Sequence, residues 1–123
     1  MDNKCTVALC FIYNPIIKEK VLEYFSSFCT EVKQTNNMIE IGLNKNYDVD
    51  INNMIRKTIF DLLGKEEEIK KYLKENKIEA FLEIVPEIAS KSNESKPILS
   101  LDEDIIEFLY KSGIRMDLDY YIY

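Results

Sequence analysis

Residues 5–13 constrain the fold more than any other segment. They are apolar at nearly every position and rich in β-branched and aromatic side chains. A strand with one solvated face alternates apolar and polar residues, whereas a continuous apolar run is typical of a central strand that is covered on both faces. We therefore expect residues 5–13 to form the first, central strand of a sheet.

The hydrophobic periodicity of the remaining sequence predicts four helices and three further strands. Helical spacing is found in residues 15–31, 51–63, 65–76 and 101–112, and Gly64 separates the second helix from the third. Strand alternation is found in residues 38–43, 79–89 and 115–123. The polar stretch 33–37 is interpreted as a turn, and residues 90–97 as an exposed loop.

Local signals mark the expected boundaries of the first two helices and of the strand over residues 79–89. Asn14 offers an N-cap side chain before Pro15, and Asp48 or Asp50 is placed to cap the second helix. The strand is expected to end at Pro86, or to lie there at a sheet edge, because proline lacks the backbone donor that an interior strand needs.

The last helix has a boundary signal at each end. Ser100 and Glu103 have the spacing of a capping box, which predicts that the helix starts at Leu101. Gly113 provides the left-handed residue at which a helix commonly ends.

These elements predict the order β-α-β-α-α-β-α-β in a single domain over residues 1–123, a length near the commonest domain size. We expect an α+β fold, described as an α/β two-layer sandwich. It would have a mixed sheet of about four strands, with the helices on one face.

The composition removes most familiar kinds of active site. The chain has no histidine and three scattered glycines, so it has no imidazole base, no Ser–His or Cys–His pair and no glycine-rich phosphate loop. We expect no cofactor and assign no catalytic residue.

Charge and cysteine content bear on partners and compartment. Sixteen basic and 22 acidic residues give a formal net charge of −6, which disfavours nucleic acid as a partner and favours a basic protein. No apolar run approaches the roughly 20 residues of a membrane span. The three cysteines, an odd number in apolar segments, indicate reduced thiols and a cytoplasmic protein.

The outward face of the predicted sheet is the candidate binding surface. If the helices cover one side, the other side brings together acidic and aromatic side chains: Glu40, Glu83, Asp117, Asp119, Tyr121 and Tyr123. A solvent-facing sheet edge without a ligand explains the same pattern. Asp117 and Asp119 also have the oxygen ligands that Mg²⁺ or Ca²⁺ prefers, or could act as a carboxylate acid and base.

The ending PILSLDEDIIEFLYKSGIRMDLDYYIY, preceded by the strand EAFLEIV, resembles a family of small bacterial domains of unknown function. These domains close with a leucine-rich helix, a glycine and an Asp-hydrophobic-Asp-Tyr strand, and the resemblance spans about residues 51–123. It implies a bacterial cytoplasmic α/β domain without an assigned activity, and for some relatives a place beside toxin and immunity genes.

Three hypotheses for the function follow. The first is a non-catalytic protein-binding domain, as in an immunity protein that binds a basic toxin through the acidic and tyrosine-bearing surface. The second is a divalent-metal-dependent or carboxylate-based enzyme centred on Asp117 and Asp119. The third is a homodimer formed by edge strands that include the tyrosine-rich terminus.

Overall fold

A computed structural model describes residues 3–46, 50–89 and 100–123. The strands are β1 (Lys4–Ile12), β2 (Val32–Gln34), β3 (Met38–Asn46), β4 (Glu79–Ile88), β5 (Arg115–Leu118) and β6 (Tyr121–Ile122). The α-helices are α1 (Lys18–Ser26), α2 (Ile51–Ile59), α3 (Glu66–Glu75) and α4 (Glu103–Ser112). Short 3-10 helices precede α1 at Pro15–Ile17 and follow α2 at Phe60–Leu62.

The strands form one mixed sheet in the order β2-β3-β1-β4-β5, with β6 also paired to β4. β1 is central and antiparallel to both β3 and β4, whereas β4 is parallel to β5 and β6. The predicted α+β class with a mixed sheet is confirmed. The expectation of about four strands is wrong, as is the predicted element order, because two short strands were not recognised.

The first of these is β2, which overlaps the segment interpreted as a turn, residues 33–37. Lys33 pairs with Glu40 of β3, and Thr35 N donates to Met38 O at 2.9 Å to close the hairpin. Three residues are too few to display an alternating pattern, so this strand depends on its pairing with β3 rather than on a local sequence signal.

The second is β6, which arises because the last strand is interrupted opposite Pro86. The carbonyls of Ile84 and Ile88 accept from Asp119 N at 3.0 Å and Tyr123 N at 2.9 Å. Alternate residues of a strand direct their backbone groups to the same side, so Pro86 faces the last strand where its missing N–H leaves a gap. Pro86 therefore interrupts the neighbouring strand, while β4 itself continues to Ile88.

All four helices pack on one face of the sheet. Their buried side chains join a single core with the sheet residues that point toward them: Cys5, Val7, Leu9, Phe11, Ile39, Ile41, Ala80, Leu82 and Ile84. The two layers approach closely at Gly42, in an irregular part of β3, where an added Cβ would lie 2.8 Å from Thr58 O of α2. Gly42 also has φ +64, a conformation that glycine adopts without strain.

Several predicted helix boundaries are present. Asn14 Oδ1 accepts from Ile16 N at 3.0 Å ahead of Pro15. Asp50 Oδ1 accepts from Asn53 N at 3.2 Å at the start of α2. Gly113 follows α4 with φ +72. The alternative cap, Asp48, and the loop expected at 90–97 lie outside the described residues.

Two helix boundaries differ from the prediction. The first helix ends at Ser26 rather than near Glu31. The last helix starts at Glu103 rather than Leu101, with Asp102 as its N-cap residue, so the capping box does not form. Asp102 instead pairs with Arg56 of α2 at 2.6 Å. This contact between α2 and the start of α4 was not recoverable from local sequence.

Candidate functional site

The sheet face opposite the helices is the part of the molecule that carries the predicted site residues. We call it the open face, since the buried side chains of all four helices belong to the core on the other side. Ala8 and Cys10 of β1 point to the open face and are buried, yet they lie outside that core. Longer side chains of the flanking strands β3 and β4 surround them.

Strand register brings three of the predicted carboxylates together. Glu40 and Phe81 flank Cys10 on the two neighbouring strands. Glu83 lies beside Asp117 on the parallel strand β5, and Cys10 Sγ donates to Glu83 Oε2 at 3.8 Å. Glu40, Glu83 and Asp117 therefore surround one thiol, and we call these three residues the carboxylate cluster.

The carboxylate cluster affects the pKa of the Cys10 thiol. The pKa of Cys10 is raised from 9.0 to about 12, first by burial and then by the charges of Glu83, Glu40 and Asp117. Among the residues described, no lysine or arginine nitrogen lies within 4.0 Å of the Glu40 or Glu83 carboxylate. Asp117 has one weak partner, Arg115 Nε at 3.8 Å.

Basic side chains also occupy the open face, mostly at its margins, and were not included in the predicted site. Arg115 lies over the Phe81 ring, with 5.5 Å between its guanidinium carbon and the ring centroid. Lys45 of β3 is paired in register with Thr6, and Lys33 of β2 with Glu40. Alternation over residues 115–123 places Arg115 on the same face as Asp117, so this signal was present in the sequence. Lys33 lies in the segment interpreted as a turn, and Lys45 lies beyond the predicted strand over residues 38–43 and after the irregularity in β3.

The other predicted residues lie further along β4 and form a second group. Tyr121 is beside Glu87 in register, and Tyr123 donates its hydroxyl proton to Glu87 Oε1 at 2.5 Å. Lys4 Nζ is 3.3 Å from Glu87 Oε2. The hydrogen bond from Tyr123, followed by Lys4, lowers the pKa of Glu87, and the same hydrogen bond raises the pKa of Tyr123.

Asp119 occupies the gap between β5 and β6. Its backbone N–H donates to Ile84 O at 3.0 Å, and the residue is exposed. Within residues 3–46, 50–89 and 100–123, no group of three or more cysteine, aspartate or glutamate side chains is arranged to hold a metal ion.

A groove of about 610 Å³ lies away from the predicted site, between β3 and α2. Its lining includes Arg56, which pairs with Asp102 and Asp104, and Asp61, whose carboxylate accepts from Thr30. None of the six predicted site residues borders this groove.

The comparisons with known proteins extend the resemblance. The family model described as a domain of unknown function (DUF4279) matches residues 25–123, and the chain belongs to this family. The match starts well before residue 51, so it includes β2 and β3 as well as the C-terminal elements. Neither a curated protein nor a solved structure matches the chain. No helix in the described part of the chain is both long and apolar enough to cross a membrane.

Proposed function

We propose that this member of the DUF4279 family is a non-catalytic domain that binds a basic protein through its open face, as an immunity-type protein binds a toxin. The observation that carries the proposal is the carboxylate cluster: Glu40, Glu83 and Asp117 around Cys10. Within the part of the chain that the structure describes, its one ion pair is the weak contact between Arg115 and Asp117. Tyr121 and Tyr123 extend the surface along β4.

The cluster favours a cationic ligand on electrostatic grounds. Glu83 and Asp117 are neighbours on adjacent strands, where like charges oppose each other. A lysine or arginine of a partner placed over them would relieve this repulsion and gain charge-assisted hydrogen bonds. Both side chains are half-buried rather than deeply buried, so they remain accessible from solvent.

Aromatic side chains provide contact area next to these charges. Phe81 lies in the row beside Cys10, and Tyr121 and Tyr123 are about half exposed further along the sheet. Tyrosine contributes large, rigid contact surfaces and is enriched at the residues that dominate binding energy. A protein-binding face is expected to combine charges that raise the association rate with aromatic rings that add contact area in the complex.

Net charge and cysteine state support a basic partner in the cytoplasm. The chain has a formal net charge of −6, which accelerates association with a basic protein and makes it salt-sensitive. Cys5, Cys10 and Cys29 are all free and buried, as is usual where thiols stay reduced. Cytoplasmic localisation is therefore part of the proposal.

The test is affinity capture from the native bacterial lysate with the immobilised chain, at about 50 mM and about 500 mM salt, conditions that differ strongly in charge screening. Three baits are compared: the wild-type chain, Glu83→Gln/Asp117→Asn and Glu19→Gln/Glu23→Gln. The last variant removes the same charge from exposed positions of α1 and serves as the matched control.

We expect a basic protein that is retained at low salt by the wild-type and control baits. Its affinity for Glu83→Gln/Asp117→Asn should be about tenfold lower or weaker still, because close interfacial charge pairs contribute on this scale. Equal binding by all three baits would exclude the open face as the binding surface. A melting temperature raised by Mg²⁺ in the wild type, but not in Asp117→Asn/Asp119→Asn, would favour the metal-dependent enzyme instead.

A further inference from the structure

We infer that the outer edge formed by β5 and β6 pairs with the same edge of a second copy of this chain, giving a two-fold dimer with one continuous sheet. This inference does not rest on the proposed function, because it is argued from the backbone groups and apolar side chains at the edge of the sheet.

The backbone at this edge is directed outward at alternate residues. Asp119 N and Tyr123 N donate toward β4, to Ile84 O and Ile88 O. The intervening residues therefore direct their N–H and C=O groups away from β4, namely Leu118, Tyr120 and Ile122. β5 ends the strand order, and no strand among the described residues pairs with this outer side. Unpaired edge groups of this kind are templates for another strand.

The outward positions of this edge, Leu118, Tyr120 and Ile122, carry neither lysine nor proline, although β5 and β6 are short. Leu118, Tyr120 and Ile122 are 37%, 46% and 71% exposed. Edges are usually guarded by lysine, proline or a bulge at their outward positions.

The apolar side chains that alternate along this edge, from Met116 to Ile122, are only partly buried within the chain. Met116 packs against the core, but the next apolar residues of the same alternation, from Leu118 onward, become progressively exposed. A second copy that continues the sheet would cover them.

Charge and length together favour one register: among the pairings of residues 115–123 that are centred on a residue and place no two aspartates opposite each other, the one centred on Tyr120 pairs the most residues. In an antiparallel pair centred on Tyr120, Leu118 lies opposite the partner's Ile122, and Asp119 lies opposite the partner's Tyr121. This register pairs residues 117–123 without placing two aspartates together. Centring on Leu118 would place Asp117 opposite the partner's Asp119 on both sides of the axis, which like-charge repulsion disfavours.

The geometry has a further consequence for the open faces. A two-fold axis normal to the sheet relates two copies paired in this way, so both open faces lie on one side of the dimer and both helix layers on the other.

The test is sedimentation velocity on the full chain from about 10 µM to about 1 mM, a range suited to weak interfaces that bury little area. Three double variants are compared with the wild type. Leu118→Lys/Ile122→Lys places like charges opposite each other, and Leu118→Lys/Ile122→Glu places opposite charges together. Ile16→Lys/Ile106→Lys changes two exposed apolar residues on the helix side and is the matched control.

We expect the wild type and the control to dimerise with the same dissociation constant. For Leu118→Lys/Ile122→Lys the constant should rise about tenfold or more, and Leu118→Lys/Ile122→Glu should recover most of that loss. Circular dichroism verifies that each variant is folded. A wild type that stays monomeric at the highest concentration would overturn the inference. Equal weakening by both edge variants, or open-ended oligomers, would also do so.

Discussion

The two faces of β1 show how one strand is buried in two different ways. Toward the helices it presents Val7, Leu9 and Phe11, which lie in the core. Toward the open face it presents Ala8 and Cys10, which are equally inaccessible but are surrounded by side chains of β3 and β4. Burial alone therefore does not identify the packed face of a central strand, whereas side-chain size does.

The difference separates stability from recognition. Large apolar side chains against helices remove much surface from water and carry most of the folding free energy. Small side chains such as Ala8 and Cys10 contribute less to the folding free energy, so charged residues can surround them at a smaller loss of stability. The carboxylate cluster lies at such a position, next to Cys10. Removal of one aromatic ring from each face tests this difference in stability.

Phe11→Ala should have the largest effect on stability. Phe11 is fully buried, and its ring lies 4.4 Å from that of Phe25 between centroids. Its removal leaves a cavity between the layers and should cost about 3–5 kcal/mol. The matched change on the open face, Phe81→Ala, removes a half-buried ring beneath Arg115 and should cost about 1–2 kcal/mol. Urea unfolding measures both, and equal losses would show that the open face is packed as the other face is.

Gly42→Ala tests the contact between the sheet and α2. The new Cβ would lie 2.8 Å from Thr58 O, in a residue with φ +64. Backbone strain and steric overlap together should cost about 2–3 kcal/mol. Gly64→Ala is the control, because Gly64 has φ +85 but nothing within 4 Å of the new Cβ, so it isolates the strain of about 1 kcal/mol. If thermal unfolding gives the same loss for both variants, the close approach at Gly42 contributes nothing.

The sequence was sufficient for features that depend on neighbours in the chain. The continuous apolar run identified β1, and the capping groups at Asn14, Asp50 and Gly113 are formed as expected. Alternation also assigned Glu40, Glu83 and Asp117 to one face. Side-chain direction in a strand follows from a period of two, so it needs no knowledge of strand order.

Features that depend on distant partners were not predictable. β2 exists because β3 lies beside it, and the gap before β6 arises because Pro86 is opposite. The role of Cys10 at the centre of the carboxylate cluster required the register of three strands. Arg56 pairs with Asp102, the N-cap residue of α4, across 46 residues of sequence, and no local pattern indicates this contact.

The pKa values of the two thiols of β1 test whether the charges of the open face act locally. Burial raises the pKa of Cys5, on the helix side, to about 11 and that of Cys10 to about 12, where the carboxylates also contribute. Glu83→Gln should lower the pKa of Cys10 and leave that of Cys5 unchanged. A ¹³Cβ NMR titration of both cysteines measures this, and Glu19→Gln is the control. A shift of equal size at both thiols would show that the cluster does not act locally.

The same shift should appear in the pH dependence of stability. A thiol whose pKa is raised by folding stabilises the native state fully below its unfolded pKa near 9.0, and this contribution is lost as pH rises toward about 12. The free energy of unfolding should therefore fall above about pH 9, with Cys10 contributing at most about 1.4 kcal/mol per pH unit. Cys10→Ala should flatten this decline relative to the wild type, measured by urea unfolding at pH 8–10. An unchanged slope would mean that Cys10 ionises in the folded chain as freely as in the unfolded one, and that the negative potential assigned to the open face is absent.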